Sequence, residues 1–397
     1  MFIRRYRAGR LPAILTLVCA AAATAFGADE LTAQARQGRN QDPLFLTATN
    51  GPNNFLAVIN TRTKQTDYFP TGGLGGAGGN AGGVAVNDRI AAAVNFASSN
   101  VTIFVRRGNA MEPTQVIKTS SQPVSVVFGH NHLVVLGLTT AESFPVYGNT
   151  VAKDNDGLVQ LVRGDKSAAQ IVSFDGGVVY SEKSGSVAEL NLSTNGMAGL
   201  SGPNRPVLLP NAPNNDTPFG MVARGANIYV TIAHSNLEVL VSNGQILSSA
   251  AALTPFKDGS GGFLHAPCWN TLSGQFLYSA DSPGKQLLRY LVSNNSIFFD
   301  KAAVAKLGGA PTDLAAENGL LGVIDGGDSG MSNASLFDID SEGELSLRFA
   351  VKIAGSISRP RLCCLCCHAP KSLFRVSSAI VSLQQRTSEP RSYGLRA

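Results

Sequence analysis

One phrase recurs along the middle of this chain and constrains its fold more than any other feature. It consists of an apolar alternating run, a turn, a dense apolar run closing on a polar residue, a second turn, and a third strand-like run. The phrase opens at Ala81, Gln122, Ala168, Thr217, Ala266 and Ala310, so successive spacings are 41, 46, 49, 49 and 44 residues. Dense second runs such as Ile90-Ala-Ala-Ala-Val and Leu320-Leu-Gly-Val-Ile follow within a dozen residues, and third runs include Val101-Thr-Ile-Phe-Val and Leu287-Leu-Arg-Tyr-Leu-Val. No window sustains a 3.6-residue apolar stripe, whereas two-residue alternation and Gly, Asn, Asp and Ser turns are everywhere. The body is therefore read as all-β.

Repeats of about 40 to 50 residues with this content denote a propeller or an array, and four short strands per repeat arranged radially protect sheet edges. The piece before the first full repeat, with Leu44, Phe55 and Thr66 opening its runs, supplies second, third and fourth strands without a first. Six full repeats plus this fragment predict a seven-bladed β-propeller of four-stranded antiparallel blades over residues 42–360. The first run of each repeat becomes the innermost strand, which should bury Val86, Val126, Ile171, Met221 and Leu314. Ring closure requires an inner strand from the C-terminal side, expected just after Arg359-Pro360. Residues 361–397 change character instead. Leu362 to Cys367 is apolar enough to stand in as that strand, or the tail is foreign to the fold, as a shifted reading frame would make it. Residues 368–397 are expected to be disordered and dispensable for stability.

The formal charge of +5 is a property of the ends. Residues 1–27 hold Arg4, Arg5, Arg7 and Arg10 and no acid, and residues 359–397 hold seven basic residues against Glu389. The body between them has 21 basic and 26 acidic residues. Such a body offers no footprint for nucleic acid. The four arginines, the apolar run Leu11 to Phe26 and the small residues ending at Gly27 read as a cleaved export signal, followed by a disordered linker over 28–41. A secreted or periplasmic monomer, with no membrane attachment after cleavage, is the expectation. Only Cys268 lies in the body, so the core and not bridges should hold it. Cys363, Cys364, Cys366 and Cys367 are too closely spaced to wrap a zinc ion.

Several openings carry Pro at the second position. Ala266-Pro267-Cys268-Trp269, leading to Phe276-Leu-Tyr-Ser-Ala-Asp281 and Leu287-Leu-Arg-Tyr290, together with Thr217-Pro218-Phe219-Gly220, resembles the lactonase-type seven-bladed propellers. That group includes carboxymuconate cyclase and 6-phosphogluconolactonase. The resemblance covers about residues 42 to 360 and implies the fold. No residue set here matches the family's catalytic residues position by position, so none is carried over.

The repeat alignment gathers one set of side chains around a channel mouth. At the ends of the second strands stand Asn50, Asn95, Glu182, His234, Asp281 and Asp325, with Leu138 breaking the ring. Three readings are open for this ring. Asn and Asp are turn formers. Glu182, Asp281 and Asp325 are hard oxygen ligands suited to Ca²⁺ or Mg²⁺. A histidine beside carboxylates can act as general base on a lactone-directed water. His265, at the start of the fifth full repeat, is a further candidate, whereas His130 and His132 should form a solvated turn on the opposite face. Gly73-Leu-Gly75-Gly-Ala-Gly78 matches the dinucleotide fingerprint literally but precedes a strand-like run and no helix, so it reads as a flexible connector. With no acid, base and oxyanion constellation in view, a propeller that binds a small ligand or partner at its central channel is the leading functional expectation. Lactone hydrolysis or cyclisation is the alternative.

Overall fold

The computed structural model describes residues 42–88, 90–193, 198–208, 217–233, 237–242, 245–251, 265–293, 295–326, 331–357 and 377–381. The expected leader and linker, the Leu362 to Cys367 run and His234 lie outside the described residues. Every described element is a β-strand, and no helix among the described residues is long and apolar enough to cross a membrane.

Six blades are each woven from one stretch of chain. Blade 1 contains β4 (Val84–Asn87), β5 (Ile90–Asn95), β6 (Asn100–Arg107) and β7 (Ala110–Lys118). In blade 2, β8 (Pro123–Gly129), β9 (His132–Gly137) and β10 (Thr140–Tyr147) are followed by two short pieces, β11 (Thr150–Val151) and β12 (Gly157–Gln160), which share the outer position along β10. Blade 3 comprises β13 (Ala168–Phe174), β14 (Gly177–Glu182), β15 (Ser186–Asn191) and β16 (Ser201–Leu208). Blade 4 holds β17 (Pro218–Arg224), β18 (Asn227–Ile232), β19 (Leu237–Ser242) and β20 (Gln245–Ala251). Blade 5 is β21 (Pro267–Ser273), β22 (Phe276–Asp281), β23 (Gln286–Ser293) and β24 (Ser296–Lys306). Blade 6 is β25 (Ala310–Glu317), β26 (Leu320–Gly326), β27 (Met331–Ile339) and β28 (Leu345–Ile357).

A further sheet is composite. The early strands β1 (Leu44–Ala48), β2 (Phe55–Asn60) and β3 (Thr66–Pro70) are completed by the late strand β29 (Ser377–Val381), which pairs antiparallel with β1 from Leu44↔Val381 to Ala48↔Ser377. Within residues 42–360 only six blades are complete, and the expected seventh has three strands there. The closing strand is not next to Arg359-Pro360 but lies in the stretch expected to be dispensable. Its sequence, Ser377-Ser-Ala-Ile-Val, is a short apolar run inside an Arg and Ser-rich tail and gives little periodic signal. The first strands β4, β8, β13, β17, β21 and β25 neighbour one another in order, and β29 closes the cycle between β25 and β4.

The repeat phrase now has a physical reading. Second strands such as β5, β9, β14, β22 and β26 are buried along their whole length, because neighbouring blades cover both faces of each sheet. An alternating strand would put polar side chains into one of those faces, hence the unbroken apolar runs. The proline at the blade openings sits at a recurrent irregularity. Register between first and second strands shifts directly after Pro123, Pro218, Pro267 and Pro311, and after Ala168 in blade 3. Proline has no N–H to give a ladder, and a bulge is where none is needed. Of the expected inner residues, Val126, Ile171, Met221 and Leu314 are buried and Val86 is half-buried.

Two expectations change. Cys268, expected as a lone core cysteine, is buried and disulfide-bonded, and the chain's other five cysteines lie outside the described residues. His130 and Asn131 form the turn of the β8–β9 hairpin with positive φ, as the tight hairpin requires, but His132 is buried and not part of a solvated turn.

Pairing by β29 covers the inner edge of β1 and should be measurable as stability. Truncation after residue 376 is expected to lower the melting temperature by about 4–8 °C, taking roughly 2 kcal/mol of lost pairing and about 2–4 °C per kcal/mol. Truncation after residue 382 should leave it unchanged.

Candidate functional site

Where each second strand ends, the chain arriving from the preceding blade turns in to start the first strand. The backbone N–H groups of that arriving segment lack ladder partners and must be satisfied otherwise. At the expected ring positions Asn50, Glu182 and Asp281, buried side-chain oxygens do this. Glu182 accepts the amides of Arg163 at 3.0 Å and Gly164 at 2.9 Å, and the Ser186 hydroxyl at 2.9 Å. Asp281 accepts the Ala266 amide at 2.9 Å and the Gln286 side-chain amide at 2.8 Å. The Asn50 carbonyl oxygen accepts the Gly76 and Ala77 amides, and Asn95 accepts the Thr71 hydroxyl at 2.6 Å. Asp325 accepts the Asn333 side-chain amide at 2.7 Å. In blade 2, where Leu138 breaks the ring, Glu142 of β10 takes over, accepting the Ser120 amide and hydroxyl. Sequence reasoning passed over Glu142 because it lies on the third strand. Its signal was an acid four residues after the one apolar ring position.

The ring therefore acts foremost as a set of latches. Asn50 and Asn95 are joined through Asn54, Asp281 meets His265, Glu182 holds the segment arriving from blade 2, and Asp325 is engaged within its own blade. Among the described residues no three of His, Cys, Asp and Glu converge to hold a metal ion. Both carboxylate oxygens of Glu182 and of Asp281 are directed at N–H and O–H donors.

The glycine-rich connector between β3 and β4 has a definite place. It crosses the channel at the end where the first strands begin. The Gly79 carbonyl accepts Lys183 Nζ at 2.6 Å, the Asn80 carbonyl accepts Trp269 Nε1 at 3.1 Å, and the Asn80 side-chain amide donates to the Val124 carbonyl. The Ala81 amide donates to the Ala169 carbonyl at 3.1 Å, and the Gly82 carbonyl accepts the Val126 amide at 2.8 Å. One short segment is thus tied to blades 2, 3 and 5, and Ala81 packs in the cluster that holds Phe219 of blade 4. Gly82 has φ +66° and a Cβ there would stand 2.9 Å from Ser125 Oγ, so glycine is required. Below this strap lies a cavity of about 350 Å³ lined by the first strands.

Among the described residues two histidine–aspartate pairs are present, and they differ. His132 Nε2 lies 2.8 Å from Asp156 and its Nδ1 2.8 Å from the His130 carbonyl, so both ring nitrogens are engaged and the side chain is inaccessible. His265 Nδ1 lies 2.8 Å from Asp281 Oδ2, and the ring is 22% exposed while Asp281 is fully buried. Among the described residues Asp281 is the hydrogen-bond partner of the His265 ring. A buried carboxylate that fixes Nδ1 orients an imidazole and leaves Nε2 as the ring's second proton-transfer atom.

The latch reading makes a direct demand on Glu182, all of whose described partners are donors. Glu182→Gln places an amide N–H₂ against them and should cost about 1–3 kcal/mol, seen as a lowered denaturation midpoint with an unchanged m-value.

No family model matches the chain, and no curated protein matches it. Solved structures do. A protein from Lactobacillus plantarum superposes with TM-score 0.61 at 12% identity, covering 86% of this chain and all of that one. A presumed 6-phosphogluconolactonase from Bacteroides fragilis gives 0.59 at 12% identity over 86% of this chain and 98% of its own, and one from Bacteroides uniformis gives 0.58 at 14% over 80% and 98%. Identities this low carry the fold and nothing finer. The recurring proline-led openings, the four-stranded antiparallel blades and these superpositions agree: the chain has the fold of the lactonase-type β-propellers.

Proposed function

We propose that this protein hydrolyses a lactone, with His265 as general base and Asp281 as the residue that orients it. The observation that carries the reading is the 2.8 Å contact between a partly exposed imidazole and a wholly buried carboxylate. Asp281 is itself held by Ala266 and Gln286, so the pair sits on a fixed base at the end of β22. The likeness to presumed 6-phosphogluconolactonases supports the substrate class.

In the proposed reaction Nδ1–H is donated to Asp281, and the Nε2 lone pair takes a proton from water. The water oxygen attacks the lactone carbonyl carbon, and the ring C–O bond breaks on collapse of the tetrahedral intermediate. The leaving alkoxide takes the proton back from Nε2, giving a hydroxy acid. A general base of this kind contributes about 10²–10⁴-fold to rate. Export in the manner of the N-terminal leader favours an unphosphorylated sugar lactone as substrate, and a secreted or periplasmic site of action.

The test is acid release from glucono-δ-lactone and its 6-phosphate by the purified chain, with and without Ca²⁺, Mg²⁺ or chelator. His265→Ala is expected to lower kcat at least about 100-fold at an unchanged melting temperature, with partial rescue by added imidazole. Asp281→Asn should lower both activity and stability. Binding of lactone without acid release would restore the non-catalytic reading that the sequence alone favours, and turnover unaffected by His265→Ala would remove the dyad.

A further inference from the structure

The central cavity does not belong to the His265 face. Its lining begins under the strap at Ala81 and Gly82 and runs along the first strands to Val86, Ser173, Ala223 and Ala316. At the strap end Ala81, Ala169 and Trp269 are buried, whereas Val86, Ser173, Ala223 and Ala316 are half-exposed. The channel is therefore blind, sealed by the strap and reached from the face of the first hairpins.

Its described walls are chiefly Val126, Ile171, Met221, Leu314 and the indole of Trp269. At about 350 Å³ it falls in the range of small-molecule sites, which combine apolar walls with a few placed polar groups. Gln170 supplies one. Its Oε1 accepts the Met221 amide, which fixes the amide orientation and turns Nε2 toward Gly82 and the cavity floor, so this group acts there as a donor. Thr271 supplies another: its oxygen accepts the Ala316 amide at 3.0 Å and its own proton is left to give. No Lys, Arg or His is among the described lining residues, and the Asp313 carboxylate in the wall disfavours an anion.

We infer that this blind channel is a binding site for a small, neutral, largely apolar molecule carrying a hydrogen-bond acceptor such as a ketone or ester carbonyl, which Gln170 Nε2 recognises beneath the strap. The site is independent of His265 and of lactone turnover.

Trp269 is the only tryptophan of the chain, so its emission reports occupancy. The purified full chain is titrated with 2-nonanone, and in parallel with nonane, nonanoate and nonylamine. The ketone should change Trp269 emission saturably, with each of the other three at least about tenfold weaker. Gln170→Glu keeps the acceptor for the Met221 amide but replaces the donor; it should weaken the ketone about tenfold while His265→Ala leaves it unchanged. Absence of a saturable response in the unmodified chain overturns the inference. So does equal or tighter binding of the amine or acid, or an unchanged ketone affinity in folded Gln170→Glu.

Discussion

A four-stranded sheet with two apolar faces cannot bury both by itself, and every other feature of this protein follows from that constraint. Each blade is covered by its neighbours, so no blade is complete until the ring is. Second strands buried end to end have no polar face, and the closing contact must join chain segments more than 300 residues apart, Leu44–Ala48 and Ser377–Val381. Cyclic packing converts a local deficit in each repeat into a cooperative requirement on the whole.

Closure crowds one face with segments that turn inward toward the axis. Their backbone donors are out of reach of any ladder, and buried unsatisfied amides are expensive. Glu182, Asp281, Asn50 and Glu142 meet them with carboxylate and amide oxygens. Bonds from N–H to an ionised acceptor are about twice as strong as neutral ones. Acids that look like ligands in the sequence are thus largely committed to holding the blades. Asp281 differs in also touching a partly exposed histidine, and the proposed chemistry rests on that difference.

The strap has a similar double character. Glycine at 82 allows backbone to approach Ser125 closely, and Asn80 to Gly82 then knit blades 2, 3 and 5 across the axis. Sealing one end leaves the His265 face and the apolar channel as separate environments. A propeller with an open channel would merge them.

Fold class, repeat phase and the identity of the inner strands were legible in the sequence, because periodicity of two and unbroken apolar second runs are direct images of a sheet covered on both faces. Val126, Ile171, Met221 and Leu314 could be placed inside on that ground alone. The ring positions were legible too, since Asn50, Asn95, Glu182 and Asp281 occupy one phase of the repeat. Their partners were not. Whether a carboxylate faces a cation, an amide or an imidazole depends on segments that arrive from another blade, and those meetings are fixed by ring geometry, not spacing. For the same reason the glycine run read as a loose connector, His132 as a surface turn and the closing strand as adjacent to Pro360. Sequence determined what each repeat must bury; only the closed tertiary ring decided which distant residues satisfy its polar groups.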